Sequence, residues 1–222
     1  MTRREILLSG VYLVFEFFLL PSLLTAVNTA LSSPWTAAGV NFLYFLLNFL
    51  AVVLITQRFL WKSLQDAVKK PRLVLMCALL GTAAYWSMTS VLTQILLRIE
   101  PAFYNINDAS ITQIMEQEFL LMAAGTVLLV PTVEECLFRG LLFGALWEHS
   151  RPLGWIVSVG AFAAIHVVPY IGKYPPHMLL LCFVQYLPAG FCIAWSYLKA
   201  DNIVTPILIH TAVNAMGMAA MR

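Results

Sequence analysis

The sequence predicts an all-α fold, a polytopic bundle of about seven transmembrane helices, or eight where a kink or an interfacial helix divides one. Three observations carry that expectation. The 222 residues are 61% hydrophobic and only 11% charged, whereas soluble domains carry about 25% charged residues. About seven apolar runs are long enough to cross a bilayer, which takes about 20 residues each. Aromatic side chains suited to the membrane–water interface, among them Trp35, Trp61, Trp147, Trp155 and Tyr174, stand near the ends of several runs.

The runs lie near 6–30, 40–60, 73–98, 119–147, 153–171, 177–198 and 203–220. Arg3 and Arg4 precede the first, as in a secretory leader. The run is long for a leader and contains Glu16, so it reads as an uncleaved span. Glu16 is expected to pair inside the bundle. Arg58, Lys62, Lys69, Lys70 and Arg72 crowd the link between the second and third runs, which is expected to be an interfacial helix or a solvated loop. The link from Leu31 to Gly39 is uncharged, and the link from Glu100 to Glu118 is acidic. The positive-inside rule therefore puts the N-terminus and the 61–72 link in the cytoplasm and Arg222 outside.

The acidic link holds Ser110-Ile111-Thr112-Gln113, a capping-box pattern that predicts a helix start. From Ile111 to Trp147 a straight helix would reach about 55 Å, nearly twice the hydrocarbon thickness. Pro131 is the expected bend, since proline removes one backbone bond and clashes with the preceding turn. In the last run, Thr205-Pro206 reads as a helix cap followed by proline at the first helical position.

Cys77, Cys136, Cys182 and Cys192 all lie in apolar runs without metal-ligand spacing and read as small buried hydrophobes. No basic tract points to nucleic acid. No repeat, linker or low-complexity segment divides the chain, so 1–222 reads as a single membrane domain, with its chemistry-bearing core at about 111–220.

Within the fourth run stands Val133-Glu134-Glu135-Cys136-Leu137-Phe138-Arg139-Gly140. Each of its three charges would cost roughly 2.5–3.5 kcal/mol at a helix centre facing lipid. They must face the protein interior or a wet cavity. Glu135 and Arg139, four apart, share a helical face and can pair. Glu134 points about 100° further round and is left without a partner in its own helix. The fifth run carries Phe162 and His166, and the seventh His210 and Asn214, each pair four apart. Counted from the presumed cytoplasmic ends, Glu134 lies about 21 Å deep, His166 about 20 Å and His210 about 12 Å. Uncertain helix ends allow all of them, with Asn214, to reach one level.

Such a set can activate water. A carboxylate withdrawn from bulk water becomes a base effective near neutral pH. A histidine beside it can help hold or deprotonate the water. A second histidine and an amide can donate hydrogen bonds to a developing oxyanion. Taken singly, the acids also fit a structural ion pair, the histidines buried packing groups, and Asn214 a bond between helices.

The motifs Glu-Glu-x-x-x-Arg, Phe-x-x-x-His and His-x-x-x-Asn, complete at Glu134/Glu135/Arg139, Phe162/His166 and His210/Asn214, resemble those of the CPBP (Abi) family of glutamate intramembrane proteases. That family includes type II CAAX prenyl endopeptidases. The resemblance implies an endopeptidase acting on a membrane-associated peptide or protein within the lipid bilayer, without a cofactor. Glu134 would activate water with help from His166. His210 and Asn214 would form the oxyanion hole, and Glu135 and Arg139 would shape the site or position substrate. Members commonly have eight spans, whereas this chain ends just after the third motif. The His210 helix is thus expected to be more exposed, or covered by lipid or another subunit.

Two alternatives stand beside that reading. Glu134, His166 and His210 are a possible zinc set, although no His-Glu-x-x-His is present. A non-enzymatic immunity, scaffold or transport protein is the other. Asp66, Asp108 and Asp201 all fall outside the middle of a run, and no Gly-x-Ser occurs. Aspartyl and serine protease chemistries therefore fit poorly.

Overall fold

The computed structural model describes residues 1–221, and the expectation for Arg222 lies outside them. Every regular element among the described residues is helical. Four helices are long and apolar enough to cross a membrane, and a fifth span results if the bent pair at the N-terminus is one crossing. Two further apolar helices, Arg151–Ile165 and Val204–Ala220, are shorter. Large apolar side chains such as Leu54, Leu79, Leu120 and Ile156 cover the exterior. This is the surface of a chain solvated by lipid, and the protein is an integral, multi-pass membrane protein.

α1 (Arg3–Phe18) opens with a capping box between Thr2 and Glu5. The first run then bends by 45° into α2 (Leu20–Ala30). Pro21 explains the break, because it cannot continue the hydrogen-bond ladder of α1. Glu16 is buried and accepts the Tyr44 hydroxyl at 3.4 Å.

α3 (Ala37–Lys69) takes in the basic 61–72 link as far as Lys69, so the link is neither a separate interfacial helix nor a loop. Pro71 stops it, and α4 (Pro71–Ile99) starts there at once. Thr56 interrupts α3 with non-helical angles while its hydroxyl donates to the Val52 carbonyl at 2.7 Å. The Phe59 amide next to this kink is taken by Glu5 at 2.9 Å, so the kink also ties α1 to α3.

α5 (Ile106–Met115) begins four residues before the predicted capping box. Asn105 is its cap, accepting from the Asp108 amide at 3.0 Å, and asparagine is among the best residues there. The chain breaks at 116–118 and re-enters as α6 (Phe119–Ala124).

Pro131 does not break the following helix as expected. The chain instead runs through a π-helical turn, Gly125–Leu129, into α7 (Val130–Glu135). A second π stretch, Cys136–Phe143, leads into α8 (Gly144–Trp147). A π turn shifts the backbone hydrogen bonds just before the proline, and Phe119–Trp147 continues as one 29-residue span. Carbonyls loosened by such turns need partners in a membrane. Asn214 donates to the Thr126 carbonyl at 2.8 Å, and Ser158 to that of Phe138 at 2.9 Å.

α9 (Arg151–Ile165) ends with His166 as its cap, three residues before Pro169, and a 3₁₀ turn follows at Val168–Tyr170. α10 (Pro176–Ala200) packs against α4 and α9. α11 (Val204–Ala220) follows. The cap of α11 is supplied by Asn202, which accepts from both the amide and the hydroxyl of Thr205 at 3.0 Å. Thr205 was the predicted cap, but its own hydroxyl is spent on Asn202.

Candidate active site

The two π stretches bracket α7, which carries both glutamates. Glu135 and Arg139 are fully buried. Arg139 Nη1 donates to Glu135 Oε1 at 3.0 Å, Nη2 donates to the Gly190 carbonyl on α10 at 3.1 Å, and the guanidinium lies 4.4 Å from the Phe162 ring centre. One arginine thus joins the motif helix to α9 and α10. Gly190 lets α10 lie close against α9, because a Cβ there would stand 3.0–3.3 Å from Val159 atoms.

His210, on α11, enters the same cluster. Its Nδ1 lies 2.7 Å from Glu135 Oε1, the oxygen that also faces Arg139. An ionised carboxylate only accepts, so Nδ1 carries the proton. Nε2, on the opposite edge, lies 4.0 Å from Glu134 Oε2. Glu134, His210, Glu135 and Arg139 thus form a row that alternates in charge when His210 is protonated. Glu134 Oε2 is buried and has no hydrogen-bond partner among the described residues.

Phe162 sits at the centre of the aromatic packing. Its ring contacts His166 at 4.9 Å, His210 at 5.7 Å and Phe138 at 5.9 Å. His166 Nδ1 lies 2.8 Å from the Phe162 carbonyl, which can only accept, so this nitrogen also carries its proton and Nε2 is left with a lone pair.

The fold therefore draws Glu134, Glu135, Arg139, Phe162 and His210 into direct contact and brings in His166 through Phe162. Asn214 stands one turn beyond His210, and its amide donates to the Thr126 carbonyl rather than to another motif side chain. The His210 helix is only partly exposed: His210 itself is 4% accessible, while Leu208 and Met216 face outward.

Two features escaped the sequence reading. Glu135 serves His210 as well as Arg139. Tyr186, on α10, stacks on His166 with ring centres 4.0 Å apart and planes 22° from parallel. The adjacent Gln185-Tyr186 pair, polar within an apolar run, was the available signal. Among the described residues no three His, Cys, Asp or Glu side chains converge as a metal site requires.

Residues 116–216 match the family described as Rce1-like, type II CAAX prenyl endopeptidase Rce1-like. The matched segment holds all three motifs. UPF0177 protein YxdF of Lactococcus lactis subsp. lactis (strain IL1403) is 28% identical over 95 residues, which are 43% of this chain and 47% of that protein. The match thus spans about half the length of that curated relative. No solved structure matches the chain.

Proposed function

Over residues 116–216 this chain is Rce1-like, and on that premise we propose that it is an intramembrane endopeptidase. It hydrolyses a peptide bond of a membrane-associated peptide or protein by means of water activated at Glu134. The observation that carries the reading is the placement of Glu134 Oε2, unpartnered and 4.0 Å from His210 Nε2. Two oxygens borne on one tetrahedral carbon span such a gap with a hydrogen bond at each end.

In this reading, water attacks the scissile carbonyl carbon while Glu134 takes its proton. The Nε2 lone pair of His166 helps hold the water. The carbonyl oxygen gains the negative charge and receives a hydrogen bond from Nε2–H of protonated His210. Glu135 orients the ring by accepting from Nδ1 at 2.7 Å. Asn214 has a second amide hydrogen beyond the one given to Thr126, and it serves the same oxygen. Collapse of the tetrahedral intermediate breaks the C–N bond, and Glu134 returns its proton to the leaving amine. Arg139 holds Glu135 in place through the 3.0 Å bond from Nη1. No resident cofactor is required by these steps. The single domain spans the cell membrane with the N-terminus in the cytoplasm, as the basic residues indicate.

The test is cleavage of a quenched fluorescent peptide library by detergent-purified protein. Wild type and Glu134→Gln are compared, each with and without a chelator. Cleavage lost in the variant and kept with the chelator is the expected result. Loss with the chelator, restored by zinc, would replace the reading with a zinc hydrolase. A cellular function kept in full by Glu134→Gln would replace it with a scaffold or immunity role.

A further inference from the structure

His166 is held by more than its own helix. As the cap of α9 it stands where the helix stops and the chain turns away, so fewer backbone neighbours confine its ring. Its Nδ1 bond to the Phe162 carbonyl fixes one edge at 2.8 Å, but rotation about that bond leaves the plane of the ring undetermined. The Phe162 ring packs on the imidazole at a 54° tilt, and Tyr186 supplies the near-parallel contact through the 4.0 Å stack.

Tyr186 is itself anchored to an unusual degree. Its hydroxyl lies 3.1 Å from Asp108 Oδ1, 3.2 Å from Asn105 Oδ1 and 3.1 Å from Asn107 Nδ2. A buried tyrosine hydroxyl needs about one partner. Here the one proton faces two acceptors, Asp108 Oδ1 and Asn105 Oδ1, and the hydroxyl oxygen accepts from Asn107 Nδ2, all three from a cluster at the start of α5. That cluster is braced in turn. Asn105 Nδ2 donates to Gln185 Oε1 at 2.7 Å, Gln185 Nε2 donates to Thr93 Oγ1 of α4 at 3.0 Å, and the Tyr170 hydroxyl donates to Asn107 Oδ1 at 3.3 Å. Residues from α4, α10 and the turn after His166 therefore brace the asparagines that hold this phenol. Its only aromatic stacking partner is the imidazole among the described residues.

We propose that Tyr186, clamped by Asn105, Asn107 and Asp108, is a positioning residue for His166, holding the imidazole plane so that Nε2 is presented to the reacting water. This rests on the proposed endopeptidase reading for its kinetic consequence, but not for its structural one. The short helix α5, which precedes the matched segment, becomes part of the working site. Its role is to set a side chain it does not touch.

The experiment has two readouts on Tyr186→Leu, Tyr186→Phe and wild type in detergent. The first is the rate of diethyl pyrocarbonate modification at each histidine, mapped by mass spectrometry. The Leu variant should raise the rate at His166 several-fold while leaving His149 and His177 unchanged. The Phe variant, which keeps the stack but loses the hydroxyl, should fall between. The second is peptide cleavage: loss of the stack should lower kcat by about tenfold to a hundredfold with KM little changed, as a misplaced group does.

An unchanged rate at His166 in the Leu variant overturns the proposal. So does a rise at all histidines together with a lower melting temperature, which marks general loosening. If wild type cleaves nothing in the library, the endopeptidase reading is the one that fails, and the modification rates still decide the positioning role.

Discussion

His210 Nδ1 and Arg139 Nη1 meet at a single oxygen, Oε1 of Glu135, at 2.7 and 3.0 Å. Glu135 therefore compensates a permanently charged, fully buried arginine while also accepting the Nδ1 proton of the histidine. Replacing it by glutamine strands Arg139 without a counter-charge. Glu135→Gln should destabilise the protein by about 3–5 kcal/mol, the usual result of breaking a buried pair. Adding Arg139→Met should recover part of the loss. Thermal unfolding of the two variants in the same detergent checks both statements.

Glu134 behaves differently, since no hydrogen bond within the protein depends on its Oε2. Glu134→Gln should keep the fold to within about 1 kcal/mol, the scale of one ordinary hydrogen bond. Peptide cleavage should fall by about 10²–10⁴-fold, the range expected when a general base is removed. A melt and a cleavage assay on one preparation separate the two effects.

Gly190 offers a test of packing around the arginine. A methyl group there meets Val159 backbone atoms at 3.3 Å, which cannot swing aside as a side-chain tip can. Gly190→Ala should cost about 1–3 kcal/mol, as overpacking of a tight contact does. It should also loosen the Arg139 bond to the Gly190 carbonyl. Denaturation of the variant beside Ala189→Gly gives the comparison.

Asp108 links stability to pH. Burial holds its carboxyl above the ordinary aspartate range, and the Tyr186 hydroxyl offsets only part of that rise. A raised acid binds more protons folded than unfolded, so stability falls as pH rises from the ordinary value through the raised one. Its contribution is fully present below the ordinary value. Asp108→Asn should flatten that slope. Melting temperatures of both proteins across the acidic range measure the difference.

How legible all this was in the sequence varies with the physics involved. Charges inside apolar runs are conspicuous, because lipid tolerates them only with partners. That logic located Glu134, Glu135 and Arg139, and helical spacing linked them to Phe162, His166 and His210. The structure brings most of these side chains into contact, and the family match covers the same segment. Helix boundaries were less legible. Ser110 and Thr205 have the composition of caps, yet Asn105 and Asn202 do that work. Several residues in a row can cap a helix, and tertiary contacts choose among them. The π turns were not legible at all, since they depend on how neighbouring helices receive the loosened carbonyls. Tyr186 was hidden for another reason: an aromatic residue in an apolar run looks like packing until its ring partner is known.

The π turn at Gly125–Leu129 sets the phase of the motif helix. A π turn carries one more residue than the α-helical turn it replaces. Deleting a single residue there should let the ladder close as ordinary α-helix over nearly the same rotation and rise, so both glutamates should keep facing His210. The same deletion in a regular α-helical turn before Glu134 has no extra residue to absorb it. Everything beyond it would be turned by about 100° and shifted by about 1.5 Å, and both glutamates would swing away from His210 although no motif residue had changed. The spacing between the start of the span and its acids is thus as much a part of the site as the acids themselves.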